Sequence, residues 1–559
     1  MINYRPLGVG GEPMPTSRVN LDALIKREEF AVISTDQHTY PTNPQTLQIS
    51  ELEPDRVWHQ LLRKPDFQRE TANWDSGRVA ELIESFAKGD LIPALIFWKA
   101  NSGNLFVIDG AHRLSALIAW VLDDYGDKEI SLNFFQNYIP LEQVKSAERT
   151  RKLVKESVGS YQELKAALRN PDNSSAERVQ LAKNVFGIAI QLQWVVGDSA
   201  TAEKSYFKIN RQAVTIDPTE LSIIESRRKP NALATRALIR AGTGHKYWSA
   251  FPDKIQKDIE KTAREIYDTL FKPQIETPLR TLDIPIAGRG YSGESVKMVF
   301  DFVNLVNNVS PVMWQNKTTA KSKKKSGVVT PRVLPDDQDG LQTLQYLREV
   351  RKVATRIGSN DPSSLGLHPI VYFYGATGRF LPMTFLAVVA FVKDLESNVS
   401  FAKFTRVRSQ FEDFLLEHRA FVNQIGHEVI GGEKRVQTTI LMYQILFEGL
   451  TRGDSVEQII GQMKSHTELK FLRETTTEDK EYGKDFSTET KSTVYLREAI
   501  DKSLRCTICN ARLHFKSISF DHKDRKEDGG LGIPDNAQLT HPYCNTGYKE
   551  MLNAKGINV

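Results

Sequence analysis

All three cysteines of the 559-residue chain lie near its C-terminus, at Cys506, Cys509 and Cys544, and His541 stands three positions before the last of them. C-x2-C followed by H-x2-C presents two ligand pairs to a tetrahedral zinc, and four such ligands replace the core that so short a module cannot build. Between the pairs stand Asp521-His522, Gly529-Gly530 and Asn536, and Asn545 follows Cys544 directly. These residue types suit phosphodiester hydrolysis, which needs a nucleophilic water, a sink for charge on the phosphoryl group and help for the leaving oxygen. The oxygens of Asp521 and Asn545 are hard ligands that suit Mg2+ or Mn2+ and leave positions open for water and phosphate. A histidine with an ordinary pKa of ~6.5 takes a proton from water near neutrality, which makes His522 the candidate general base.

Local pattern predicts the elements that carry these groups. His514 to Phe520 alternates polar and apolar residues, as does a strand that delivers Asp521-His522 at its end. After Pro534, Asp535 to Leu552 predicts a helix interrupted near His541-Pro542, which brings Asn545 back over that strand.

From Cys506 to Lys549 the chain resembles an HNH nuclease, the ββα-metal fold in a zinc-knuckle frame, in residue type, order and spacing. The resemblance implies His522 as general base, Asp521 and Asn545 as ligands of a catalytic Mg2+ or Mn2+, and Asn536 as the residue that holds the intervening loop. His541 stands where many relatives have cysteine; imidazole is an equally good ligand, so the structural zinc site reads as Cys506, Cys509, His541 and Cys544. The competing reading is a purely structural zinc finger, which has no use for the acid-histidine pair or the two asparagines.

A second chemical pattern lies upstream. Ser76 predicts the cap of a helix with Val79, Leu82, Ile83 and Phe86 inward, closed by Gly89. Leu95 to Trp98 and Leu105 to Ile108 predict strands, and the second runs through Asp109-Gly110 into a helix with Leu114, Leu117, Ile118 and Val121 inward. Strand, tight turn and helix N-terminus attract an anion, and Arg113 one turn in can add a bidentate contact. The plain alternative is a strand ending in an aspartate cap, with His112 as a simple polar contact rather than a base.

Asp109-Gly110-x-x-Arg113, preceded by Phe67-Gln68-Arg69 with Trp74 and followed by Tyr206-Phe207-Lys208-Ile209-Asn210, Pro218 and Glu220, resembles the ParB-like DGQQR domain. That domain occurs in GmrSD-type modification-dependent restriction enzymes and related phage-defence nucleases. The resemblance implies a nucleoside triphosphate held by Gln68, Arg69, Asp109, Gly110, His112, Arg113 and Asn210 and coupled to control of a nuclease. Ala111 stands where the motif has its first glutamine and removes a side-chain amide, so nucleotide binding is expected ahead of hydrolysis.

Composition sets the frame. The length suggests about three or four domains, and 40% hydrophobic with 26% charged residues is ordinary for a soluble protein. A net charge of +5 is mild, so a nucleic-acid surface must come from local clusters. Cysteines committed to zinc leave none for a disulfide, which points to a reducing cytoplasm. The N-terminus has no signal pattern, and the longest apolar run, Phe380 to Val392, contains Pro382 and is too short to span a membrane.

The expected organisation is multidomain α+β: an N-terminal arm over 1–50, a ParB-like α/β domain over 51–245 with a helical insertion near 121–205, a mostly helical middle over 246–490, and a ββα-metal domain over 491–559. Arg227-Arg228-Lys229, Arg236 and Arg240 form a basic stretch that could meet phosphates, and 314–340 is a basic loop in which Lys321, Lys323, Lys324 and Lys325 could track a DNA backbone. Solvated charge is the plain explanation of both. The stretch His368 to Leu395 predicts a central core helix, and Glu474 to Lys491 a hinge before the last domain. The sequence thus reads as a DNA endonuclease of bacterial phage defence, with DNA, including modified phage DNA, as partner. One such site cuts one strand per encounter, so a homo-oligomer is compatible with double-strand cleavage. The rival readings are a nucleotide-driven switch, or a scaffold sensing modified DNA, whose zinc module only binds DNA.

Overall fold

The computed structural model describes residues 18–29, 43–68, 70–212, 218–290, 293–309, 334–474 and 484–557, with the side chains of 210–212, 218, 293 and 294 outside the description. The chain is mixed α/β and forms two compact units. The first runs to Arg227 and takes in Thr243–Tyr247; the second holds Arg228–Gly242, Trp248–Gly290 and the chain from Glu294 onward.

Eight strands belong to the first unit: β1 (Arg18–Val19), β2 (Arg27–Glu28), β3 (Thr46–Gln48), β4 (Leu62–Pro65), β5 (Trp74–Asp75), β6 (Leu95–Lys99), β7 (Leu105–Asp109) and β8 (Ala189–Trp194). Six of them make a mixed sheet in the order β2-β4-β7-β6-β8-β3, and β1 pairs with β5 apart from it. The Leu-Phe-Val-Ile run of β7 is buried on both faces, as a central strand requires. Leu105 and Val107 face a cluster that includes Ile83, Leu114, Leu117 and Ile118, while Phe106 and Ile108 join Phe67, Trp98 and Tyr206 on the other side. Burying each such side chain contributes about 1.5–3 kcal/mol.

Both helices expected beside the sheet form, over Ser76–Lys88 and Ala111–Leu122. The cap of the first is Asp75, whose Oδ1 accepts the Arg78 N–H at 2.9 Å, and Gly89 closes it at φ 86°. Ser76 instead donates its hydroxyl to the Ser146 carbonyl at 3.1 Å.

In the first unit, two stretches are more ordered or more strand-like than their sequence pattern suggests. Residues 18–28, expected to wrap loosely or form a short strand, do contain short strands and enter the fold: β2 pairs with β4, and Asp22, Arg27, Lys64 and Thr71 form a buried polar knot. Within it Asp22 Oδ1 accepts from Arg27 at 2.9 Å and from Lys64 at 2.7 Å. The stretch read as a helical insertion contains β8, with Ile190 and Leu192 inward between exposed glutamines. That alternation is strand-like but short, and the strong helical periods on its N-terminal side outweigh it over a longer window.

The second unit is helical through Pro230–Ile239, Asp253–Phe271, Gly293–Val306, Leu341–Ile357, Pro382–Ser397, Phe401–Glu417 and Gly432–Arg452. The stretch from His368 is two helices, Pro369–Tyr372 and Pro382–Ser397, with an antiparallel bridge Tyr374–Phe380 between them. Its aromatics are core: Phe391 packs on Phe404, Phe411, Tyr443 and Phe447. Among the described residues no helix is long and apolar enough to cross a membrane. Lys321, Lys323, Lys324 and Lys325 lie outside the described residues.

At the C-terminal end, β9 (Ser519–His522) pairs antiparallel with β10 (Ala537–Thr540), followed by a π-turn over Cys544–Tyr548 and a short helix Lys549–Asn553. The strand expected from His514 is thus only its last part, because Phe515–Ser517 turns as a 3-10 helix. Residues 537–540, expected to be helical, form a strand. A residue before proline is driven out of the α region, so a helix cannot run through His541-Pro542, and β9 supplies the ladder partners instead.

Candidate functional site

Four ligand atoms, from Cys506, Cys509, His541 and Cys544, lie within 4.8 Å of one another. The first knuckle is held by Cys506 N–H to the Ala511 carbonyl at 2.9 Å and Asn510 N–H to the Cys506 carbonyl at 2.9 Å, with Asn510 at φ 56°. It is joined to the second by the Thr507 N–H, which donates to the Leu539 carbonyl at 3.0 Å. His541 Nε2 donates to the Arg512 carbonyl at 3.0 Å, which leaves Nδ1, 3.4 Å from Cys509 Sγ and 3.7 Å from Cys544 Sγ, as the ligating nitrogen. Leu513, Ile508, Ile518 and Leu539 close apolar walls around the thiols.

The thiols crowd one another. Hydrogen bonds from Cys509 and Cys544 hold the Cys506 thiol far below its ordinary value. The bond to Cys506 pushes Cys509 up to about 12 and raises Cys544 well above the usual range. Loss of all three protons therefore calls for a dication among the sulfurs, and three thiolates with one imidazole are the donor set of a structural zinc.

The hairpin beside this cluster carries the other candidates. In β9, Asp521 stands opposite Gln538 of β10 and accepts its Nε2–H at Oδ2, 2.7 Å away. Lys549, the first residue of the last helix, reaches the same Oδ2 at 2.8 Å and the His522 carbonyl at 2.6 Å. Asn545, in the π-turn, donates through Nδ2 to Ser519 Oγ at 2.9 Å and to the Phe520 carbonyl at 3.4 Å. Among the described residues neither Asp521 Oδ1 nor Asn545 Oδ1 takes a hydrogen bond, and the half-buried His522 imidazole takes no partner.

Asn536 is buried and ties both ends of the loop between the strands. Its Oδ1 accepts the Asp524 N–H at 2.7 Å, and its Nδ2 donates to the carbonyls of Asp524 at 3.1 Å and Leu531 at 2.8 Å. Gly547 lets the π-turn close, since a Cβ there would stand 2.6 Å from the Tyr543 ring.

Sequence spacing did not single out Lys549 or Gln538. Nor did it single out the helix residues beneath the module. Glu412 accepts the Arg512 N–H at 2.8 Å and pairs with Arg408 at 2.8 Å, and Asp413 binds the Arg512 guanidinium at 2.7 Å. Gln538 lies opposite Asp521 only in strand register, which a helical reading of 535–552 conceals.

In the first unit, β4 and β7 are parallel, so the loop after Pro65 and the Asp109-Gly110 turn leave the same edge of the sheet. The two motif segments meet in the core, where Phe67 packs on Tyr206 at 5.1 Å and stacks on Phe207 at 6.1 Å. Gln68 is buried, and its carbonyl accepts from Arg27. Gly110 sits at φ 94°, where a Cβ would meet Leu95 Cδ2 at 2.4 Å. Arg113, expected to meet phosphate, is held within the chain by Asp109 Oδ2 at 2.9 Å and the Ala94 carbonyl at 3.2 Å. His112 stacks on Trp74 with centroids 5.6 Å apart, and the Arg78 guanidinium lies 4.9 Å from the same indole. Arg69 and the Asn210 side chain lie outside the described residues.

Within the basic stretch after Ser226, Arg228 is exposed. Arg227 pairs with Glu203 at 3.1 Å, and Arg236 is buried in a helix whose every residue is buried.

No curated protein and no solved structure matches the chain. Residues 54–225, which hold the sheet edge, the Phe67–Tyr206 contact and the Asp109-Gly110 turn, match the family described as GmrSD restriction endonuclease, N-terminal domain, and are similar to that domain.

Proposed function

We propose that this chain is a metal-dependent endonuclease that cuts DNA at the Asp521-His522 hairpin and acts in restriction of phage, and that residues 54–225 regulate it by binding nucleotide or sensing DNA. The observation that carries the reading is the Cys3His cluster beside a hairpin whose first strand ends on Asp521-His522 and whose following turn carries Asn545. The match to a restriction endonuclease domain over 54–225 supports DNA as the substrate.

In this reading Cys506, Cys509, His541 and Cys544 hold zinc, which ties the two knuckles and the hairpin together. Asp521 Oδ1 and Asn545 Oδ1 are the hard oxygens left for Mg2+ or Mn2+, which when bound neutralises charge building on the phosphate. His522 would take the proton of the attacking water as the water oxygen bonds to phosphorus and the bond to the leaving oxygen breaks, the leaving oxygen taking up a proton from solvent. Asn536 keeps the loop from Asp524 to Leu531 clear of the hairpin's end. Asp109, Gly110, His112, Arg113 and Gln68, with Arg69 and Asn210, form the regulatory nucleotide site, in which Arg113 must exchange Asp109 for phosphate.

A second reading, a DNA-binding zinc module on a nucleotide switch or a scaffold for modified DNA, draws on the engagement of Asp521 by Lys549 and Gln538. Plasmid cleavage with Mg2+ or Mn2+ separates the two, comparing wild type with His522→Ala, with and without each nucleoside triphosphate. The endonuclease reading expects the variant to lose roughly 10²–10⁴-fold in rate. Equal cutting by both proteins would remove His522 from the chemistry. If both are inert on plain plasmid, modified phage DNA is the substrate to compare next.

A further inference from the structure

Lys549 is buried, yet its ammonium has two partners on consecutive residues, Asp521 Oδ2 at 2.8 Å and the His522 carbonyl at 2.6 Å. A buried ammonium without partners is strongly unfavourable, so this contact governs where the side chain lies. The geometry at the end of β9 explains what the contact could accomplish. Neighbouring residues of a strand point to opposite faces, so Asp521 and His522 can serve one phosphate only if the strand turns at its last residue. Lys549 spans that point, holding the side chain of one residue and the carbonyl of the next.

Gln538 donates to the same Oδ2 at 2.7 Å, so two donors pin one oxygen of the carboxylate and leave Oδ1 for another ligand. The π-turn Cys544–Tyr548 holds Cys544 at the metal cluster and Asn545 against Ser519. Its i→i+5 hydrogen bond, from the Lys549 N–H to the Cys544 carbonyl, sets Lys549 directly behind the turn that carries Asn545.

We propose that Lys549 is a positioning residue of the hydrolytic site, fixing the Asp521 carboxylate and the turn at His522 so that both act on the same phosphodiester. This rests on the reading of 506–549 as a hydrolytic centre. Lys549 does not react; it orients the groups that do.

The test uses the full chain as wild type, Lys549→Met and Lys549→Arg, with Asp521→Ala as control. Zinc content and melting report the fold, loss of the free Mn2+ EPR signal reports cation binding, and single-turnover plasmid cleavage reports the rate. Lys549→Met is expected to keep its zinc and to bind Mn2+ at least as tightly as wild type, since the carboxylate has lost a competing cation. It is expected to cut about 100-fold more slowly, the effect of a misplaced reacting group. Lys549→Arg, which can still span the two oxygens, should recover part of that rate.

Wild-type cutting by Lys549→Met overturns the proposal, as does loss of zinc or of Mn2+ binding along with the rate. Failure of the underlying reading looks different: wild type inert on plain and modified DNA, or Asp521→Ala unchanged in Mn2+ binding and cutting. Either result removes the proposal with it.

Discussion

The carboxylate of Glu412 accepts the backbone N–H of Arg512 at 2.8 Å, in a place closed to solvent. Its other oxygen pairs with Arg408, which also donates to the carbonyls of Leu365 and Gly366. The same Arg512 offers its carbonyl to His541 Nε2. A helix of the body, a loop and the metal cluster are thus joined by one buried polar network.

Breaking that network should be costly. Glu412→Ala leaves Arg408 without its buried counter-charge, and the expected loss is about 3–5 kcal/mol in urea unfolding. Replacing Arg408 and Glu412 together by apolar residues should cost much less, which a double-mutant cycle measures. An equal loss in the double variant would mean that the pair matters for packing rather than charge.

Purified protein should contain one zinc per chain, measured by metal analysis after growth in rich medium. Cys544→Ser removes one thiolate, and a fall of at least ~100-fold in zinc affinity is expected, with a lower melting temperature. Chelation of the wild type should lower the melt in the same direction. A zinc-free protein with an unchanged melt would contradict the assignment of these four residues.

His514 gives the second unit an acid limit. It is buried, with neither ring nitrogen hydrogen-bonded, and it faces Asp283 at 3.8 Å and the His368 ring at 5.6 Å. Burial first, and then Lys516 nearby, push it down from 6.5 to about 4. The folded value lies below the unfolded one, so its stabilisation is complete above about 6.5 and is lost as pH falls through about 4. The whole effect is roughly 3 kcal/mol. His514→Leu should flatten this part of a denaturation profile taken between those pH values, and an unchanged slope would remove His514 as its cause.

In the first unit, Asp22 is the shared acceptor of Arg27 and Lys64, and it also takes the Thr71 N–H at 3.2 Å. Asp22→Ala strands two buried cations at the base of the loop that carries Gln68. The expected loss is about 3–5 kcal/mol, read from the unfolding transition of the first unit. A loss below ~1 kcal/mol would mean that water reaches the knot.

That Cys506, Cys509, His541 and Cys544 come together could be read from the chain because their chemistry is local. Cys506 with Cys509, and His541 with Cys544, stand three residues apart, a spacing that one tight turn converts into two ligands on a common ion. The strands β6 and β7 and the helices around Asp109-Gly110 were legible for a similar reason, since each carries its own period of burial. Other features had no local trace. β10 lay hidden in a segment with helical composition, because its ladder partner is β9 and its end is dictated by the proline at 542. Asp22 and Arg27 looked like a polar arm, and only their meeting with Lys64 makes them core. Lys549 touches Asp521, and Glu412 touches Arg512, through packing of segments distant in sequence. Contacts of that kind follow from strand register and helix docking, which no spacing along one chain encodes.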